Sequence, residues 1–400
     1  MPAHLAGRVR NGVPDGHDEP VTGTDDGVTG SGSPDEIDPV APDLPKDRPH
    51  GIFHRILSGV LSYGFVLLVI WFLVQKLSSP GQLSAALESI TWPQLVVVGL
   101  LGLVNLFSNL PPMVVTLPGL RYREGGVTNT ASAAVANTVP EGGAVATGLN
   151  FAMLRSWGFR LQDITSSFLT TGIWTNLVRY TLAAGGLVFL VAFGTVDASL
   201  LWVTALVVVL VVAALVVFGL ILRSEPFSLR LGRSADWLLG PVRRYIKALS
   251  IPVLVEVVPE FRTELVARVR GCWRSLTVTM TASQLMTCFV LGVALRMQGV
   301  PTADVGWAKV IVAFGAMSLA SLVAPTPGGL GVAEATLVAV LSAGLDTTLQ
   351  PQIVAAVLLF RFATWFLPIP IGLGSYIYWR TTTSWRATRD SKGIARPAAA

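Results

Sequence analysis

Charge and histidine are what this 400-residue sequence has least of. Asp, Glu, Lys and Arg make up only 13% of it, against about 25% in ordinary soluble domains. A soluble globular chain is thereby excluded. The four histidines, His4, His17, His50 and His54, all precede the first long apolar run. The apolar part therefore has no imidazole for a metal site or for acid–base work. The two cysteines, Cys272 and Cys288, lie on one predicted helix. At ~1.5 Å rise per residue they stand about 24 Å apart, too far for a disulfide. No phosphate-cradling glycine loop followed by Lys-Ser/Thr is present, nor a paired acidic metal motif in any loop. No catalytic residue, metal or cofactor is assigned.

What is abundant is apolar sequence. Hydrophobic residues are 52% of the chain, gathered into runs at about 56–75, 93–118, 164–193, 199–222, 272–295, 304–323 and 351–379. Each has the ~20 residues a helix needs to cross ~30 Å of hydrocarbon. The runs are continuously apolar rather than alternating, which argues against a β-barrel. The expected fold is all-α: a polytopic helical membrane bundle over 55–380, with about eight crossings and one re-entrant element. Residues 1–50, rich in Asp, Gly, Pro, Ser and Thr, are expected to be a disordered tail. With no signal-peptide apolar core in that tail, the first run is expected to be a retained anchor.

Lysine and arginine set the expected orientation. The linker 223–271 carries nine of them, among them Arg223, Arg243, Arg244, Lys247 and Arg270, and the tail 381–400 is basic. Both should be cytoplasmic, with both chain termini, while the turns at Asp197 and Asp304 face outward. In the linker, Leu231, Leu238, Val242, Tyr245 and Leu249 recur at helical spacing, which suits a helix at the inner headgroup layer or one packed on the bundle's end. To keep these basic segments inside, 127–154 must enter and leave on one side, and 324–346 must cross.

Those two segments are apolar but interrupted. The first reads Asn137-Thr138-Val139-Pro140-Glu141-Gly142-Gly143 and ends in Leu154-Arg155-Ser156-Trp157-Gly158-Phe159. The second reads Pro325-Thr326-Pro327-Gly328-Gly329-Leu330-Gly331-Val332-Ala333-Glu334. Proline removes a backbone donor and glycine tolerates positive φ, so the helix stops and leaves polar backbone groups free. Irregular backbone at membrane depth survives only when buried in protein or lining a cavity. The other reading is that the glycines merely allow close helix packing. A pair of interrupted segments in the two halves, each with a lone carboxylate, points to a transport site.

Arg179 and Arg361 lie deep in apolar runs, and each needs a carboxylate or a phosphate partner. Glu141 with Arg179, and Glu334 with Arg361, would be structural pairs; alternatively the four charges line one polar cavity. Lys309 is close enough to an edge to snorkel. Asn105, Ser108 and Asn109 share a helix face suited to interhelical hydrogen bonds. The candidate headgroup-binding set takes Asn137, Pro140, Glu141, Gly142, Gly143 and Arg155 from the first element. It takes Thr326, Pro327, Gly328, Gly329, Gly331 and Glu334 from the second, with Arg179 and Arg361.

The two elements, with Phe360-Arg361-Phe362-Ala363-Thr364-Trp365-Phe366-Leu367-Pro368 after them, resemble the lysylphosphatidylglycerol synthase transmembrane-region family. The similarity covers about 55–380. The resemblance implies a bacterial cytoplasmic-membrane protein and a unit linked to moving a modified lipid between leaflets. It also implies a stand-alone member, since no aminoacyl-transfer domain follows the last apolar run. The expected function is a carrier or flippase for an anionic phospholipid or polyprenyl-phosphate-linked intermediate. The alternatives are a membrane enzyme in lipid aminoacylation or glycosyl transfer, and a membrane partner holding a soluble transferase on 223–271. Membrane lipids are the expected partners and nucleic acid is not; the oligomeric state is open.

Overall fold

The computed structural model describes residues 90–139, 142–193, 201–224, 254–322 and 329–382, with a few isolated positions between them. The N-terminal tail, the first apolar run, linker residues 231–253 and the basic tail from 383 lie outside the described residues, as do Pro140, Glu141, Pro327 and Gly328. All described elements are helical. In chain order they are α1 Trp92–Ser108, α2 Leu110–Thr116, α3 Tyr122–Thr138, α4 Gly142–Ser156, α5 Leu161–Ala192 and α6 Leu201–Arg223. Then come α7 Leu254–Met297, α8 Trp307–Leu322, α9 Val332–Ser342, α10 Gln350–Arg361 and α11 Pro368–Thr381, the last two joined by a π-helical turn, Phe362–Phe366. Among the described residues, four stretches are long and apolar enough to cross a membrane: Trp92–Thr116, Leu161–Ala192, Val269–Met297 and Thr347–Thr381.

Three helices begin in the same way. The third helical residue sends its side chain back to the backbone N–H ahead of the helix: Gln94 to Thr91 at 3.0 Å, Glu124 to Arg121 at 3.1 Å, and Glu334 to Gly331 at 2.6 Å. This satisfies a donor that has no partner within the helix. At the junction of α1 and α2 stand Pro111 and Pro112, which supply no N–H, and side chains bond to the carbonyls in the last turn of α1. Asn109 Nδ2 and Ser108 Oγ both donate to the Asn105 carbonyl, and Asn129 Nδ2 donates to that of Leu106.

The surface is strongly apolar, while the largely apolar interior holds a set of polar side chains. Val97, Leu100 and Val104 on α1, and Leu206, Val209, Leu210 and Val216 on α6, are exposed. Buried instead are Asn105, Ser132, Ser166, Ser167, Ser283, Gln284 and Ser318. That arrangement fits a lipid environment, where packing and interhelical hydrogen bonds rather than hydrophobic burial hold helices together. Close approach is made by small residues. A Cβ on Gly102 would lie 2.8 Å from the Ala363 carbonyl oxygen, and one on Gly315 would overlap Ala183. The α1–α7 contact is polar: Thr287 Oγ1 donates to Asn105 Oδ1 and Ser283 Oγ to Asn109 Oδ1, both at 2.8 Å. This is the interhelical role expected of that asparagine face. Thr287→Val should lower stability by about 0.6 kcal/mol, and by no more than about 1.7 kcal/mol. Thermal unfolding in detergent measures this, and no change would mean the bond contributes nothing net.

The interrupted segments form two hairpins. In the first, α3 and α4 run antiparallel: Ser132 Oγ donates to Asn150 Oδ1, and the start of α4 backs onto the end of α3, where a Cβ on Gly142 would meet the Ala136 carbonyl oxygen at 2.5 Å. Its open end sits at the C-terminal end of α11, through Arg123 on Tyr378 and Trp379 Nε1 on Ser156 Oγ at 3.0 Å. Its tip reaches only the π-helical turn, where Asn137 Nδ2 donates to the Trp365 carbonyl at 2.9 Å. Trp365 is about midway along the span Thr347–Thr381. The hairpin therefore returns to the end from which it set out, the re-entrant path expected of 127–154.

The second hairpin, α8 with α9, points the other way. Lys309 Nζ donates to the Ala343 carbonyl at 2.8 Å at the open end, and Gly329 backs onto Ser321 near the tip. The open end leads directly into Thr347, the start of the last long span. Segment 324–346 was expected to cross. Its helix α9 has 11 residues, about 16 Å, half of what hydrocarbon thickness demands. This helix alone does not carry a full crossing. Lys309, expected to snorkel, places its ammonium group in an exposed position on the Ala343 carbonyl just after α9. The later part of the linker is also helical, because α7 starts at Leu254 and continues without a break into the span.

Candidate functional site

The glycine-rich start of α9 is built around one carboxylate. Gly331 has φ +84°, a conformation that glycine adopts without penalty and other residues resist. Having no side chain, Gly331 cannot cap its own helix, so Glu334 Oε2 takes the Gly331 N–H. The other oxygen, Glu334 Oε1, lies 2.5 Å from Arg361 Nε, and both side chains are about 13–14% exposed. One carboxylate thus closes the helix start and neutralises a buried guanidinium. Thr326 is buried and donates to the Leu330 carbonyl at 2.8 Å, while Gly329 N–H returns to the Thr326 carbonyl at 3.0 Å, so the turn before α9 is internally hydrogen-bonded.

Arg361 is the last residue before the π-helical turn, in which the Leu367 N–H bonds to the Phe362 carbonyl. Such single wide turns within a helix cluster at functional positions. The Trp365 carbonyl within it accepts from Asn137, so the tip of the first hairpin and the start of α9 attach to residues one turn apart on the same helix.

Arg179 has different company. Its Nε donates to Gln284 Oε1 at 3.0 Å, and its guanidinium lies over the Phe314 ring, 5.5 Å from the centroid. No carboxylate is within ion-pair distance of it among the described residues. The expected Glu334–Arg361 pair is therefore present, whereas Glu141, the expected partner of Arg179, lies outside the described residues. Arg155 is exposed in the last turn of α4, at the open end of its hairpin. Gly142 is packed against α3, and Gly143 has open space around it.

The structure adds a feature the sequence reading did not contain. A cavity of about 200 Å³ lies where α3, α4, α5 and α7 converge on the proline break between α1 and α2. Asn109, Asn129 and Asn150 line it, with Ser132, Ser167, Thr171 and Thr175; Met113, Phe168 and Met280 supply its apolar wall. None of its lining residues is charged. Arg179 stands at its edge by helix geometry. It is one turn beyond Thr175 on α5, and its partner Gln284 is one turn beyond Met280 on α7, so each shares a face with a lining residue. A signal existed in the sequence: Ser167, Thr171, Thr175 and Arg179 recur every four residues in an otherwise apolar run.

Among the described residues no group of three His, Cys, Asp or Glu converges as a metal site would require. What the arrangement offers is a hydrogen-bonding pocket with an arginine at its rim, inside an apolar-faced bundle. No curated protein matches the chain. Residues 56–372 match the family description Lysylphosphatidylglycerol synthase TM region, which covers every described helix up to the first turn of α11. The chain is a multi-pass membrane protein that belongs to the lysylphosphatidylglycerol synthase transmembrane-region family.

Proposed function

We propose that the protein is a carrier that passes the headgroup of an anionic lipid between the two leaflets of a membrane, with Arg179 taking the phosphate. The observation that carries this reading is the position of Arg179, a cation facing a neutral amide at the rim of a polar cavity. An arginine at membrane depth is costly unless something compensates it, and a phosphate ester does so with charge-assisted hydrogen bonds. Two hairpins opening toward opposite ends of one long helix support the same reading. Oppositely oriented, interrupted elements meeting near the middle of a bundle are how secondary transporters expose one site alternately to either side.

The test is translocation of acyl-labelled phosphatidylglycerol in vesicles, read by quenching of outer-leaflet label. The intact protein should equilibrate the label at least tenfold faster than protein-free vesicles. Arg179→Gln should remove most of that gain while its melting temperature stays close to that of the unaltered chain. A variant that melts far lower but retains its rate per folded molecule would assign Arg179 to structure and sink this role.

A further inference from the structure

We propose that the cavity between α3, α4, α5 and α7 receives an uncharged, hydroxyl-bearing moiety of the lipid headgroup, a glycerol or a sugar ring, and reads it by accepting its hydroxyl protons. This rests on the lipid-carrier reading but concerns a different part of the ligand from the phosphate at Arg179.

The case comes from where the lining groups have already placed their protons. Thr171 Oγ1 donates to the Ser167 carbonyl at 2.9 Å, and Thr175 Oγ1 to the Thr171 carbonyl at 2.7 Å. Thr116 Oγ1 donates to the Pro112 carbonyl at 3.0 Å, so the 2.7 Å contact between its oxygen and Ser167 Oγ uses the Ser167 proton. Ser132 gives its proton to Asn150. Asn129 Nδ2 is committed to the Leu106 carbonyl at 2.9 Å, which turns Asn129 Oδ1 away from that bond and leaves it without a protein partner. What remains open to a guest is an uncharged mixture: lone pairs on Asn129 Oδ1 and on the hydroxyl oxygens of Thr171 and Thr175, with the Asn150 Nδ2 protons and the second N–H of Asn129 beside them.

A lining of that kind sorts ligands by proton supply. Phosphate and carboxylate oxygens are acceptors, and they need donors and positive charge. A primary ammonium brings donors but also a charge, and no carboxylate among the lining residues offsets its desolvation. Hydroxyl groups bring donors without charge. The size agrees: a cavity of about 200 Å³ admits a small polyol or one ring. With Arg179 one turn further along the same helix face, the phosphate and the hydroxyl-bearing moiety of one headgroup would have separate sites.

The experiment uses the full chain with acyl-labelled lipids that differ only in headgroup: phosphatidylglycerol, glucosyl-diacylglycerol, phosphatidic acid and phosphatidylethanolamine. Two readouts are taken, leaflet transfer in phosphatidylcholine vesicles and lipid retention by native mass spectrometry of the detergent-purified protein. The expected result is retention of the two hydroxyl-bearing lipids at least tenfold above phosphatidic acid and phosphatidylethanolamine, with transfer rates in the same order. Asn129→Leu should compress that ratio towards one. Because Asn129 also holds the Leu106 carbonyl, Thr171→Val with Thr175→Val, which removes two acceptors without touching that bond, should compress it as well. Equal retention of all four lipids, preference for the ammonium headgroup, or a ratio unmoved in the threonine variant overturns the assignment. Selective retention without any transfer above protein-free vesicles leaves this inference standing and overturns the carrier reading instead.

Discussion

Arg361→Met should cost about 3–5 kcal/mol of stability, the range for removing one partner of a buried ion pair. The loss would come from the carboxylate left behind rather than from the bond removed. Glu334 is only about 14% exposed and would be left beside a methionine without its cation. Its remaining hydrogen bond, to the Gly331 N–H, does not offset that. Adding Glu334→Gln to Arg361→Met tests the mechanism. Glutamine still accepts the Gly331 N–H through its amide oxygen, so the helix start is kept and only the charge is lost. The double variant should recover most of the stability, since replacing a whole buried pair is often close to neutral. Thermal or denaturant unfolding in detergent of both variants and of Glu334→Gln alone completes a double-mutant cycle. If Arg361→Met proves as stable as the unaltered chain, the pair is solvated and the α9 start does not depend on it.

The second large effect is expected at Gly372, where α11 presses on α3. A Cβ there would overlap the Thr130 carbonyl oxygen and reach within 2.8 Å of its carbonyl carbon, with the Ala134 side chain also in the way. The obstacle is helix backbone, which cannot rotate aside, so α11 must move off α3. Overpacking of this kind costs about 1–3 kcal/mol. The displacement also weakens the Thr130–Ser375 hydrogen bond, 2.8 Å in length, and the Asn137 bond to Trp365. Gly372→Ala should fall near the upper end of that range, and Gly372→Leu should give little folded protein. Gly374 is the control: with nothing near its Cβ position, Gly374→Ala should be neutral or slightly stabilising through helix propensity. Equal melting temperatures for the two alanine variants would mean that α3 and α11 are not in tight contact.

The parts of this architecture legible in the sequence are those fixed by local chemistry or by large energies. Glu334 and Arg361 could be paired on paper because lone charges in apolar runs are too costly to leave uncompensated. The asparagine face of α1 could be read because Asn105 and Asn109 are one turn apart. The return of the first hairpin followed from where the arginines had to lie. The cavity could not be found in this way. Its walls come from separate helices, and periodicity tells which face of a helix is polar but not which other polar face it meets. The π-helical turn was only half legible: Pro368 removes the N–H that Thr364 would use and crowds its carbonyl, but this does not say that a wider turn takes up the disturbance. It is tertiary attachment, to Asn137 on one side and to the close approach of Gly102 at Ala363 on the other, that accompanies the wider turn.

The attachment of α3 to the end of the chain also constrains how the protein is made. Asn137 finds its acceptor 228 residues downstream, and Thr130 finds Ser375 245 residues downstream. At about 5–20 residues per second on the ribosome, the first hairpin waits on the order of 10–50 s before its partner helix exists. Throughout that interval the side of α3 that carries Thr130 and Asn137 lacks its final partners. The final placement of the hairpin must follow synthesis of the last helix. A chain interrupted before Trp365 is therefore left with an unseated hairpin rather than a smaller working bundle.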